Sequence, residues 1–265
     1  LYSATRLAAR FVRYYITASN GKGHGIHSPF VFDFITNVVR DKRSFYAYTK
    51  IEDLRRRLLT DDRRLLIEDF GAGSVSGPAK QRTVAALASK AAKSKKYGQL
   101  LFRMVNYYHP ASIIELGTSL GISASYLAMG NPDSKFITME GATAVAAVAR
   151  ENFSQLGIQN IGIAEGNFDT TLPAVLKNTG TVDLAFIDGN HRRKPTLDYF
   201  EQILEKINYP GILIFDDIHW SKEMESAWQE IKKHPACMLT IDLFFIGIVF
   251  FNTDFKVKQH FVIRF

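Results

Sequence analysis

The order of apolar and polar segments predicts an α/β domain on a mostly parallel sheet, with antiparallel strands at its C-terminal end and a helical extension at its N-terminus. Three observations carry this. From Ser112 onward, short β-branched runs alternate with helix-length amphipathic stretches, the pattern of a parallel sheet with crossover helices. The first run, Ser112-Ile-Ile-Glu-Leu116, passes into a helix through a turn bracketed by Gly117 and Gly121. A second run, Lys135 to Glu140, ends in an acid 25 positions after Glu115.

Taken in order, residues 3–18 place Leu7, Phe11, Tyr14 and Tyr15 near one face and Arg6, Arg10 and Arg13 near another, which predicts an amphipathic helix ended by Asn20-Gly21. Gly21 to Phe30 reads as a loop. Its His24 and His27 have no nearby carboxylate or cysteine to complete a metal site, and they could equally line a substrate entrance. Helices are predicted at 30–40, 50–59 and 79–106, so residues 1–106 form a helical extension or cap and 107–265 the α/β domain. Strands are predicted at 112–116, 135–140, 160–164, 182–187 and 211–215, with helices at 121–130, 142–156, 194–207 and 221–234. Met238 to Phe265 holds short apolar runs without room for crossover helices, which predicts antiparallel strands.

In such a sheet the ligand sits beyond the carboxyl ends of the strands, where a glycine turn lets backbone N–H groups approach it. Glu115, Gly117, Ser119, Gly121 and Ser123 are therefore candidate cofactor contacts, although a tight turn also needs glycine for steric reasons alone. Glu140, with Gly141 beside it, stands where a carboxylate meets a ribose diol. The turn Gly166, Asn167, Phe168 after the third strand is the candidate for the base end of a nucleoside, with a plain turn as its competitor. The fourth run delivers Asp188 at its carboxyl end and the fifth delivers Asp216 and Asp217. Clustered carboxylates repel, and a divalent cation with oxygen ligands relieves that. Capping of helix or loop N–H groups is the alternative use of the same acids.

These residues resemble the class I S-adenosylmethionine (SAM)-dependent methyltransferases, and among them the catechol and caffeoyl-CoA type of O-methyltransferase. The first family motif, acid-x-Gly-x-x-x-Gly-x-Ser, is matched by Glu115, Gly117, Gly121 and Ser123. The resemblance covers roughly Tyr107 to the C-terminus and implies a Rossmann-like methyltransferase sheet, SAM as cofactor and a small-molecule acceptor. It also implies a magnesium or other divalent cation held by Asp188, Asp216 and Asp217, with Asp188 counted among the cofactor contacts as well. Asp217 departs from the family, which carries Asn there. Where those enzymes place a lysine base, this chain has His191, and a histidine is a competent base near neutrality. Arg192, Arg193 and Lys194 would keep it uncharged. His219 and Trp220 follow the acid pair and are placed to line the acceptor pocket.

Composition sets the remaining bounds. With 46% apolar residues, the 265-residue chain can bury a full core, and no uninterrupted apolar run is long enough for a bilayer. No signal-peptide pattern is read at the N-terminus, and Cys237, as the one cysteine, excludes an intrachain disulfide; a cytoplasmic protein is expected. Residues 1–109 hold 20 Lys/Arg against 8 Asp/Glu, and residues 110–265 hold 13 against 18. The basic part could attract nucleic acid, an anionic lipid surface or an acidic substrate, or simply present solvated helix faces. The alternatives to a small-molecule enzyme are an RNA methyltransferase using that basic part and a non-catalytic SAM-binding protein. Against RNA, the Asn/Asp-Pro-Pro-aromatic motif of amino-methylating enzymes is absent after the fourth strand. The sequence leaves a homodimer open. The glycine-rich stretch Asp69 to Gly77 imitates a nucleotide loop, but no strand ending in an acid follows it; it is expected to be a loop between helices.

Overall fold

A computed structural model describes residues 1–19, 21, 27–67, 80–91 and 94–265. In chain order its elements begin with α1 (Ala4–Thr17), α2 (Pro29–Phe34, continued by a π-helical turn at Ile35–Val39), α3 (Tyr46–Leu58), β1 (Arg64–Ile67), β2 (Lys80–Thr83), α4 (Val84–Ala91) and α5 (Lys95–Tyr108). They continue with β3 (Ser112–Leu116), α6 (Ile122–Gly130), β4 (Lys135–Glu140), α7 (Thr143–Leu156), β5 (Ile161–Glu165) and α8 (Phe168–Asn178). The last part holds β6 (Val182–Ile187), α9 (Arg193–Leu204), β7 (Ile207–Asp216), α10 (Lys222–Lys233), β8 (Leu239–Asp242), β9 (Ile246–Phe251) and β10 (Gln259–Val262). The fold is α/β with a mainly parallel sheet, as expected. Among the described residues, no helix is long and apolar enough to cross a membrane.

The chain divides into two compact units, residues 42–179 and residues 1–41 with 180–265. In the first, β3, β4 and β5 run parallel, and the register pairs Leu116 with Met139 and Glu140 with Glu165, so all three strands end at one edge. Every residue of α6 is buried, which explains why its sequence shows no polar face. Its small residues are needed: a Cβ on Gly130 would come within 2.9 Å of the Phe102 carbonyl oxygen. Tyr48, Phe102, Tyr126 and Ile51 pack into the core shared by α3, α5 and α6.

This unit corrects one expectation. The N-terminal hundred residues are not all helical, because β1 and β2 form an antiparallel pair that matches Arg64 with Thr83 and Ile67 with Lys80. The run Arg64-Leu-Leu-Ile67 alternates between exposed and half-buried positions, a period-2 signal concealed by its basic, helix-favouring surroundings. The Asp69–Gly77 stretch and His24 lie outside the described residues; His27 is exposed.

In the second unit the strand order is β10-β8-β9-β7-β6. β6 and β7 are parallel, β9 is antiparallel to β7 and to β8, and β10 pairs parallel with β8 rather than antiparallel as expected. Helix α1 packs Leu7, Phe11 and Tyr14 against Phe244 and Phe245. Tyr14 donates its hydroxyl to the Ile263 carbonyl and accepts the Phe265 N–H at 3.0 Å, joining the helix to the end of the chain. Phe30 and Phe34 in turn meet Phe250 edge-on at 5.0 and 5.3 Å.

Candidate active site

The donor side is built within residues 42–179. At the end of β3 the chain turns through Gly117 (φ 107°), Ser119 (φ 47°) and Gly121 (φ 81°), conformations that glycine adopts freely and serine seldom does. The Gly117 and Thr118 N–H groups donate to the Met139 carbonyl at 3.0 and 2.9 Å, and the Gly121 N–H donates to the Thr118 carbonyl at 2.8 Å. Gly121 is required twice over, because a Cβ there would also lie 2.6 Å from the Phe153 ring. Ser123 is buried in the first turn of α6.

Glu115 lies beneath the turn, fully buried, and accepts the Thr138 hydroxyl at 2.6 Å. With that proton committed, the 2.7 Å contact between Thr138 and Thr118 runs from the Thr118 hydroxyl to Thr138. In this structure Glu115 reaches the turn through Thr138 and Thr118.

Glu140 is held by backbone donors. Its Oε2 accepts the Ser119 N–H at 2.8 Å and its Oε1 the Ala142 N–H at 2.9 Å. Burial raises its pKa, and the N–H groups of Ala142, Ser119 and Gly141 pull it back only in part, so it stays above the ordinary glutamate value. An ionised carboxylate accepts about four hydrogen bonds, so the Ser119, Ala142 and Gly141 N–H groups orient Glu140 and leave it capacity for a diol hydroxyl. Gly166 (φ 128°) donates its N–H to the Glu140 carbonyl at 2.9 Å, which brings the third-strand turn beside the second. Asn167 caps α8, accepting the Asp169 N–H at 2.9 Å, and Phe168 opens that helix half-buried.

The acidic side is built within residues 180–265. Parallel β6 and β7 carry Asp188 and Asp216 to neighbouring strand ends, with Ile187 registered against Phe215. Asp188, His191 and Asp216 each offer a ligand atom, and these atoms lie within 4.8 Å of one another. Asp217, expected from sequence beside Asp188 and Asp216, is not in that group. Successive strand residues point to opposite faces, and Asp217 has already left the strand in a left-handed conformation (φ 51°). His191 takes the third place instead, its Nε2 3.6 Å from Asp188 Oδ1.

The cations that follow His191 have acidic partners of their own. Arg193 makes a two-pronged bond with Glu230 at 2.7 and 2.8 Å, and Lys194 pairs with Asp198 at 2.5 Å. Two of the three positive charges are thus directed at acids other than those beside His191.

His219 does not present a free ring to an acceptor. Nδ1 meets Glu225 at 3.0 Å, Nε2 meets Asp242 at 2.8 Å, and the ring stacks on Phe244. Burial alone would lower its pKa, but the bonds to Asp242 and then Glu225 outweigh that and leave it raised. Glu225 also accepts the Tyr2 hydroxyl at 2.7 Å and pairs with Arg10, so α1 is tied to the same cluster. Sequence reasoning missed this network because Tyr2 and Arg10 stand more than 200 positions from Glu225, and Asp242 reaches His219 from a separate strand. Trp220 remains partly exposed, and burial pushes the Cys237 thiol up to about 12, so it stays protonated and inert.

Residues 114–218 match the model of a methyltransferase domain, a span that contains the glycine turn, Glu140, Asp188 and Asp216. The chain is 31% identical over 128 residues to a probable O-methyltransferase of Mycobacterium tuberculosis, a match covering 45% of this chain and 54% of that protein. It is 29% identical over 102 residues to a tRNA (guanine-N(7)-)-methyltransferase of Mycoplasma mobile (35% and 51% covered) and 26% identical over 136 residues to a catechol O-methyltransferase of M. tuberculosis (51% and 60% covered). The chain thus spans about half the length of the curated relatives it matches. In fold it is similar to an SAH-bound methyltransferase of Podospora anserina, with TM-score 0.60 at 16% identity over 95% of this chain and 98% of that one. An O-methyltransferase from Bacillus cereus in complex with SAH gives TM-score 0.54 at 18% identity, over 83% and 97%. Residues 114–218 are thus similar to a methyltransferase domain, the fold is that of the Rossmann-like methyltransferases, and the chain resembles the O-methyltransferases among them.

Proposed function

We propose that this protein is a SAM-dependent methyltransferase that methylates an oxygen of a small-molecule acceptor. The observation that carries the reading is Glu140, oriented by the Ser119 and Ala142 N–H groups at the edge where β3, β4 and β5 end, with acceptor capacity left for a ribose diol. The Gly117–Gly121 turn would receive the amino-acid end of the donor, and Gly166, Asn167 and Phe168 the adenine. Residues 107–265 are taken as the catalytic domain and residues 1–106 as its extension.

Methyl transfer is an in-line displacement: an acceptor oxygen lone pair forms the new C–O bond as the C–S bond breaks, and the sulfonium becomes a neutral thioether. The enzyme's task is to position the two reactants and remove the acceptor proton. His191 is suited to accept that proton on Nε2, with Asp188 beside it to stabilise the imidazolium that forms. A small acceptor is favoured over RNA because Phe11, Tyr14, Phe30 and Phe34 are spent on packing against Phe244 and Phe250, leaving them unavailable for base stacking.

A second reading of the acidic side rests on the same cluster. Asp188, His191 and Asp216 form a mixed oxygen and nitrogen donor set that suits a divalent transition ion better than magnesium. Such a cation would lower the pKa of a coordinated hydroxyl, and His191 would then be a ligand and not the base. Methyl transfer from isotopically labelled SAM to a panel of catechols, phenols and aliphatic alcohols, with and without chelator, tests both. Transfer that survives chelation and fails in His191→Asn supports the base; transfer abolished by chelation and restored by manganese supports the cation. No transfer to any oxygen acceptor, with SAM bound, would support the non-catalytic alternative.

A further inference from the structure

Helix α1 has two apolar faces. At 100° per residue, Leu7, Phe11 and Tyr14 share the side packed on Phe244 and Phe245, as a surface helix requires. The opposite side carries Ala8, Val12 and Ile16, with Tyr15 at one margin, and all four are exposed. Val12, Tyr15 and Ile16 keep 55%, 49% and 71% of their surface in solvent. A solvated face normally carries charge, and this one has none. The other margin is a stripe of arginines, Arg6, Arg10 and Arg13, and the helix contains no acid.

The patch extends beyond the helix. Tyr2 donates its N–H to the Trp220 carbonyl at 3.3 Å, bringing the 38% exposed Trp220 to the start of α1. At the other end, the Arg264 guanidinium lies 4.5 Å from the Tyr15 ring centre. Exposed aliphatics, ring systems that are apolar with a polar tip, and a margin of arginines are the composition of a helix lying in the plane of a membrane interface.

We propose that α1 docks this protein on an anionic lipid surface, with Val12 and Ile16 entering the acyl boundary and Arg6 and Arg13 meeting the headgroups. Charge selects this occupant over a second copy of the chain. A second copy of α1 packed on this face would offer the arginine margin no acid in any orientation. An anionic bilayer supplies the missing negative charge. Arg10 serves the fold instead, because Glu225 already holds it.

The test is cosedimentation of the full chain with vesicles of equal parts phosphatidylcholine and phosphatidylglycerol, against vesicles of phosphatidylcholine alone. The protein should pellet with the anionic vesicles, remain in solution with the neutral ones, and release as salt is raised. The double variant V12E/I16E should lower the binding constant by at least about tenfold through lost burial of apolar side chains. Arg13→Gln should lower it by about fivefold through one lost headgroup contact. All three side chains are exposed, so melting curves of both variants should match the wild type. Absence of binding to anionic vesicles, or binding that neither variant weakens, would overturn the proposal. So would a solution dimer, seen by light scattering, that V12E/I16E dissociates, because a second copy would then cover the face.

Discussion

The Ser119 N–H donates to Glu140 Oε2 at 2.8 Å, across 21 residues of sequence, and this bond joins the glycine turn after β3 to the acid that ends β4. Because Ser119 donates from a left-handed conformation, φ 47°, the turn carries strain that its hydrogen bonds hold in place. Ser119→Gly should relieve that strain and leave stability unchanged or raised by up to about 1 kcal/mol. Gly121→Ala should destabilise by about 1–3 kcal/mol, because it combines a left-handed alanine with a clash against Phe153. Urea unfolding of the two variants measures both. Equal effects of the two substitutions would show that the turn is not shaped as described.

The acidic cluster makes a separable prediction. If Asp188, His191 and Asp216 hold a divalent ion, the melting temperature should rise with manganese or zinc and fall back with chelator, because the ion binds only the folded state. Asp216→Ala and His191→Asn should each abolish the response, whereas Asp217→Ala should preserve it. A response lost in Asp217→Ala and kept in His191→Asn would restore the ligand set read from sequence. A melting curve indifferent to cations would favour His191 as a base.

His219 gives stability a pH dependence whose sign is fixed. Its folded pKa is raised by Asp242 and Glu225, with the unfolded value near the ordinary 6.5. Its contribution is therefore fully present below 6.5 and is lost as pH rises through the higher folded value. Replacing His219 with Gln should flatten the decline of melting temperature over that window and lower stability at acid pH. A variant with the wild-type pH profile would show that the imidazolium does not hold this cluster together.

The parallel half of the fold was legible in the sequence because its strands are largely buried and read as short, mostly apolar runs, as in Val182 to Ile187 and Ser112 to Leu116. The glycine turn and Glu140 were legible too, since glycines and a strand-end acid at a set spacing are local signals. What was hidden depends on distant partners. Thr118 and Thr138 look like ordinary turn and strand residues until Thr138 is found bridging Thr118 and the buried Glu115. His219 was read with its neighbour Trp220, while its bonding partners Glu225 and Asp242 come from α10 and β8. Strand β1 was lost because four residues carry too little periodicity against a basic, helix-favouring background.

Reception of SAM by the turn between β3 and α6, with Glu140 on the ribose, is tested by calorimetric titration of SAM and its demethylated product into the wild type, Glu140→Ala and Glu140→Gln. Melting curves run alongside separate loss of binding from loss of fold, and Gln keeps one carbonyl oxygen for the Ser119 or Ala142 N–H. Binding by the wild type is expected, with a loss of about 1.5–3 kcal/mol in folded Glu140→Ala, the range for hydrogen bonds to a charged group, and a smaller loss in Glu140→Gln. No heat of binding with the wild type, or affinity unchanged in folded Glu140→Ala, would contradict it.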